Sequence, residues 1–151
     1  LALAHLVAAM PQPRQAQVRA RFDAVLGALA EAGLLDRLSD EGDLRGLGMD
    51  YFRLGLACPF LEDESCSIHP DRPTSCREYL VTSPAAACAA PTRTTIDLLP
   101  LDGDPSRALL KAEAVIGWSP LVLALTLEDQ AGPSARELPG PELLGELLRG
   151  L

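Results

Sequence analysis

Cys58-Pro-Phe-Leu-Glu-Asp-Glu-Ser-Cys66-Ser-Ile-His69-Pro-Asp-Arg-Pro-Thr-Ser-Cys76-Arg-Glu-Tyr79 is the stretch around which the chain is organised, and Val81-Thr-Ser-Pro84 and Cys88 extend it. All four cysteines of the protein fall between residues 58 and 88, spaced C-x7-C, C-x9-C and C-x11-C. Pro59, Pro70, Pro73, Pro84 and Pro91 punctuate them. Turn residues at this density predict an irregular segment with little regular structure or apolar core of its own. Something else is then expected to hold it, and thiols offer two means: metal ligation or disulfide bonds.

Outward from this stretch, helices are expected on both sides. Leu3, Leu6 and Val7 fall at helical spacing over residues 3–9, before Met10-Pro11 ends the run. His5 lies among them with no second ligand type nearby, and reads as a surface or satisfied histidine. Pro13 opens the clearest helix, on which Val18, Phe22, Val25, Leu26 and Leu29 form one apolar stripe. Gly33 suits the position just past its end, with Leu34, Leu35 and Leu38 as a short packed tail. Residues 39–48 read as a polar, glycine-rich loop; Asp40, Glu41 and Asp43 do not fit a calcium-loop pattern. Residues 49–57 deliver the chain to Cys58 as a strand or a helical turn.

Beyond Cys88, Thr94, Ile96 and Leu98 alternate, as in a short strand over 92–99. Asp104-Pro105 is a helix start, and Leu109 to Ile116 continue the pattern toward Trp118, a core candidate. Ser119-Pro120 repeats the signal before the buried run 121–127, expected as a helix with a strand as the alternative. A Pro/Gly linker over 132–141 leads to a last helix carrying Leu143, Leu144, Leu147 and Leu148 on one face.

Composition narrows the function classes. The chain has 151 residues, 48% of them hydrophobic, enough for a core in one domain. Its apolar runs, 1–10 and 121–127, are far short of the roughly 20 residues that cross a bilayer. Residues 1–10 lack the basic start and cleavage site of a secretory leader. The formal net charge is −8 with Lys111 the single lysine, and the arginines are scattered among more numerous carboxylates. Nucleic acid and anionic membrane both need clustered cations, so neither is expected as a partner.

An even number of cysteines is compatible with disulfides. Disulfide-dense domains are usually secreted and too small for a good core, whereas this chain is larger and confines its cysteines to one region. Metal-binding thiols are therefore the expectation. A closed zinc site takes four thiolate or imidazole ligands, which Cys58, Cys66, Cys76 and Cys88 can supply. His69, at C-x2-H from Cys66, is a further candidate. Iron, alone or as an iron–sulfur cluster, also takes thiolates, and the spacing does not choose between them.

The residues around the cysteines carry a resemblance. Cys-Pro-Phe-Leu, then Cys-Ser-Ile-His-Pro-Asp-Arg-Pro-Thr-Ser-Cys-Arg-Glu-Tyr, then a cysteine shortly after Ser-Pro, resembles the bacterial YkgJ-like cysteine-cluster family, described as a zinc- or iron-chelating domain. The resemblance is specific over 58–88 and extends over 1–130. It implies that Cys58, Cys66, Cys76 and Cys88 are metal-ligand positions, and that His69 occupies a place where the family also has Tyr. The compact C-x2-C-x2-C-C cluster that gives the family its name has no counterpart in these residues. Flagellin lysine N-methylase is a relative in that group, which implies an alternative activity, methyl transfer to a protein side chain at an iron–sulfur centre. No glycine-rich cofactor loop, G-x-S-x-G or H-E-x-x-H accompanies it here.

Around the cysteines, Arg72 and Arg77 are expected to pair with carboxylates such as Glu62, Asp63 or Glu78. Glu62-Asp63-Glu64 reads as an exposed turn, and Tyr79 as a packing residue. The expectation is a mainly α single domain over 1–151, with several helices around an irregular metal-binding loop and at most a minor β component. Cytoplasmic chelation of zinc or iron is the expected function. A disulfide-stabilised structural domain is the remaining alternative.

Overall fold

The computed structural model describes residues 2–38, 44–63, 65–84, 95–103, 108, 120–126, 145 and 148. The fold is mainly α, with one two-stranded sheet among the described residues. The first helix, α1 (Ala2–Ala8), buries Ala4 and Val7. Pro11 separates it from α2 (Gln12–Glu31), which carries Pro13 in its first turn, where a missing N–H costs nothing. Gln15 Nε2 donates to the carbonyls of Val7 and Ala8 at 3.2 and 3.0 Å, satisfying acceptors at the open end of α1.

The expected stripe of α2 is buried as Val18, Phe22, Val25 and Leu29. It serves two clusters at once. Val18 and Phe22 join Val7, Phe60 and Ile68, while Val25 and Leu29 join Leu34, Leu47 and Val122. Gly33, at φ +68°, turns the chain out of α2 and into α3 (Leu34–Arg37). That left-handed conformation is open to glycine without a steric penalty.

Residues 44–48, expected as loop, instead begin a helix, α4 (Leu44–Arg53), which also resolves the ambiguous start of 49–57. Two packing contacts outweigh its glycines. Leu47 is buried against the second cluster and Tyr51, one turn on, is half-buried beside it. Asp50 then ties the helix down, accepting from Arg37 Nη1 at 2.7 Å and from Arg53 Nη1 at 2.8 Å. Arg37 holds the Asp50 carboxyl below the usual carboxylate range, with Arg53 adding to the effect. The acidic residues 40, 41 and 43 lie outside the described residues.

The cysteine region is more ordered than its turn residues suggest, and this corrects the sequence reading. Strands β1 (Leu61–Glu62) and β2 (Ser65–Cys66) pair antiparallel, with Leu61 opposite Cys66 and Glu62 opposite Ser65. Asp63, at φ +47°, makes the reversal. Positive φ at the first loop residue is what a tight two-residue hairpin requires, and Asp tolerates it. A 3-10 turn over His69–Asp71 and a short helix, α5 (Thr74–Glu78), follow.

The region also brings its own core residues. Phe60 is 1% exposed and meets Phe22 edge-on, with ring centroids 5.4 Å apart, and Ile68 is buried in the same cluster. Apolar anchorage and the hairpin therefore help to hold residues 58–68, a contribution the sequence reading did not foresee.

Later elements follow the sequence reading in part. Only an isolated antiparallel bridge, Val81 with Leu98, appears in the described part of the expected 92–99 strand. Thr82 N donates to Asp97 O at 2.8 Å and Leu99 N to Leu80 O at 2.9 Å, extending it on both sides. Leu121–Leu123 is a 3-10 turn rather than the expected α-helix. Its residues face both clusters, Leu121 and Leu125 packing on the first and Val122 and Leu123 on the second. Of the expected 105–118 helix only Ala108 is described, helical and fully buried. Gly145 and Leu148 are helical, while Trp118 and the 132–141 linker lie outside the described residues. No helix among the described residues is long and apolar enough to cross a membrane.

Candidate metal centre

Three of the four cysteines lie on described segments, each positioned by different local structure. Cys58 precedes the hairpin, and its carbonyl accepts from Leu61 N at 2.9 Å, closing a turn. The backbone amides of Phe60 and Leu61 lie beside the Cys58 sulfur and only partly offset the burial that raises its pKa. Cys66 ends β2, half-buried against the cluster that contains Phe22 and Phe60. Cys76 sits in α5, its N–H bonded to Pro73 O at 3.0 Å. Cys88 lies outside the described residues.

The three described cysteines are free thiols. They are close enough to act on one another electrostatically. Burial is the first cause pushing the Cys58 thiol up, and the neighbouring Cys66 and Cys76 add to it against the two backbone amides. Much of Cys58 is exposed, but enough protein crowds its sulfur to keep water off one side. Burial also pushes up Cys76, followed by Cys66, with Ser75 and Arg72 opposing. Negative charge on Cys58 and Cys76 is thus disfavoured by burial and by the neighbouring sulfurs, and a bound cation would reverse that preference.

Among the described residues no three His, Cys, Asp or Glu side chains lie close enough together to share one ion. The soft sulfur donors of Cys58, Cys66 and Cys76 are of the kind that suits a thiophilic metal. A metal ion shared by these three thiols would therefore require them to come closer together than they stand, coupling its binding to local folding.

The charged neighbours are arranged differently from the expectation. Glu62 is not a free turn residue. Its Oε2 accepts from Arg14 Nη2 at 3.0 Å and its Oε1 from Arg21 Nη1 at 2.8 Å, with the side chain 27% exposed. Arg21 also donates to Pro59 O at 3.1 Å. Glu62, one of the carboxylates expected to pair with Arg72 or Arg77, is held by Arg14 and Arg21 instead. Arg72 Nη2 donates to His69 Nε2 at 2.8 Å, and Arg77 donates to the carbonyls of Arg72 and Pro70. One ring nitrogen of the exposed His69 is thereby occupied. Ser67 Oγ and Arg72 Nε are buried without a hydrogen-bond partner among the described residues. Tyr79, expected to pack, is 53% exposed.

Sequence reasoning missed the Arg14–Arg21–Glu62 clamp. Its one visible signal was that Arg14 and Arg21 stand seven residues apart, on one face of a helix. No protein-family model, no curated protein and no solved structure matches the chain.

Proposed function

We propose that this protein chelates a thiophilic metal ion, zinc or iron, through the thiolates of Cys58, Cys66, Cys76 and Cys88. The observation that supports the reading is that the Cys58 turn, the hairpin and α5 carry three free thiols within one short region of the chain. Burial holds Cys58 and Cys76 toward the neutral thiol, so a metal ion would bind by displacing their protons. Once deprotonated, the sulfurs are the soft, negatively charged donors that zinc or iron takes.

The bound ion neutralises the repelling thiolates and draws the Cys58 turn, the hairpin and α5 together. No catalysis is assigned to it. The chemistry needs reduced thiols, which accords with a cytoplasmic setting. Cobalt(II) titration tests the proposal. An intense thiolate-to-cobalt absorption that saturates and is lost in both Cys66→Ser and Cys76→Ser supports it. Absence of that band in the reduced wild-type protein sinks it.

A further inference from the structure

Between α2, α3, α4 and the Leu121–Leu123 turn lies a cavity of about 310 Å³. Protein interiors pack as densely as organic crystals and leave few voids larger than a water molecule. A hole of this size instead falls at the lower end of the range for small-molecule sites. Its walls include Leu29, Leu34, Leu47 and Val122, each no more than 6% exposed. Among the described lining residues, Tyr51 and Cys58 alone bring side-chain hydrogen-bonding atoms, and none of those residues carries a formal charge. Cys58 is exposed while lining the cavity, so the cavity reaches solvent on that side.

We propose that this cavity binds a neutral, mainly aliphatic small molecule, its alkyl body among Leu29, Leu34, Leu47 and Val122 and a single hydrogen-bonding end against Tyr51 and Cys58. A charged head would lose its water with no opposite charge on the described walls to replace it. An alkyl body gains by leaving water and by releasing water from the apolar walls. The inference shares only Cys58 with the metal reading, and its alkyl site among Leu29, Leu34, Leu47 and Val122 does not depend on that reading.

Gly48 provides the test. It lines the cavity from within α4, and a Cβ built there meets nothing within 4 Å. Gly48→Leu therefore adds a side chain at the wall without a backbone clash, and it replaces a poor helix former. Gly27→Leu is the control, since Gly27 is exposed on α2, equally open to a Cβ, and away from the described lining.

The probe is the neutral dye N-phenylnaphthylamine, displaced by medium-chain alkanols or by the matching alkanoates. The expected result is saturable dye binding, with alkanols displacing at least about tenfold better than alkanoates. Gly48→Leu weakens dye binding by at least about tenfold, and Gly27→Leu leaves it unchanged. Absence of saturable binding to the wild-type protein, equal displacement by alkanoates, or undiminished binding by folded Gly48→Leu overturns the proposal. Should Gly48→Leu fail to fold, maleimide labelling of the wild-type protein, reduced and stripped of metal with a chelator, decides, read by peptide mass. Alkanol that slows labelling of Cys58 but not of Cys76 supports the cavity, and no protection of Cys58 overturns it.

Discussion

Arg21 Nη1 donates to Glu62 Oε1 at 2.8 Å, joining residues 41 apart in sequence and fastening the hairpin to the long second helix. The same guanidinium holds the Pro59 carbonyl, so one side chain grips the cysteine region on both sides of Phe60. Arg14, two turns earlier on α2, takes the other oxygen of Glu62. A charged clamp thus sits beside an aromatic one, Phe22 against Phe60.

The clamp has a pH signature. The hydrogen bond from Arg21 is the largest influence on the Glu62 carboxyl, and with Arg14 it lowers the pKa despite an opposing loss of water. A lowered folded pKa gives stability that is fully present above the ordinary carboxylate range and lost as pH falls through the folded value. Glu62→Gln should therefore melt lower than wild type at neutral pH, with the two melting temperatures converging in acid. A gap that stays constant across the pH range would show that Glu62 acts by shape alone.

The hairpin reversal stores a small strain. Asp63 adopts φ +47°, a region that favours glycine. Asp63→Gly should raise stability by up to about 1 kcal/mol in chemical denaturation, without changing the denaturant dependence. A clear loss of stability would mean that the Asp63 side chain contributes something more than the turn.

Phe22 and Phe60 should prove energetically coupled. Each is 1% exposed, so either Phe→Ala change should cost about 3–5 kcal/mol. In a double-mutant cycle the edge-to-face contact should appear as a coupling of about 1 kcal/mol. Strict additivity would mean that the rings do not meet in solution.

Much of this architecture was legible in the sequence, and the failures have physical causes. The stripe Val18, Phe22, Val25 and Leu29 was readable because a long helix repeats its apolar period many times. The Gly33 exit was readable because one residue type serves that backbone conformation. By contrast, α4 was read in part as loop because Gly46 and Gly48 are loop residues by propensity, and only the burial of Leu47 and the Asp50 ion pairs override it. The hairpin escaped notice because its strands are two residues each, too short for any alternation to show. The cysteines marked the candidate site by their clustering and spacing. Its electrostatic neighbours, Glu62 with Arg14 and Arg21, arise from tertiary contacts that carry no local pattern.

In the metal-free reduced protein, the thiols should behave as buried acids. Cys58 and Cys76 are both pushed up, first by burial and then by neighbouring cysteines. A raised folded pKa gives stability present at low and neutral pH that is lost as pH rises through the folded value. Alkylation of both residues at neutral pH should therefore be slower in the folded chain than in denaturant, and denaturation should become easier in alkali. Equal alkylation rates in the folded and denatured chains would contradict the crowding of these sulfurs.

The central claim is that these thiols hold a metal ion, and elemental analysis of protein purified without added metal or chelator tests it most directly. The account predicts about one zinc or iron per chain, in keeping with a single thiolate site, and marked loss of that metal in both Cys66→Ser and Cys76→Ser. A metal-free wild-type protein whose cysteines react only after chemical reduction would contradict it, and would make this region a disulfide-bonded one.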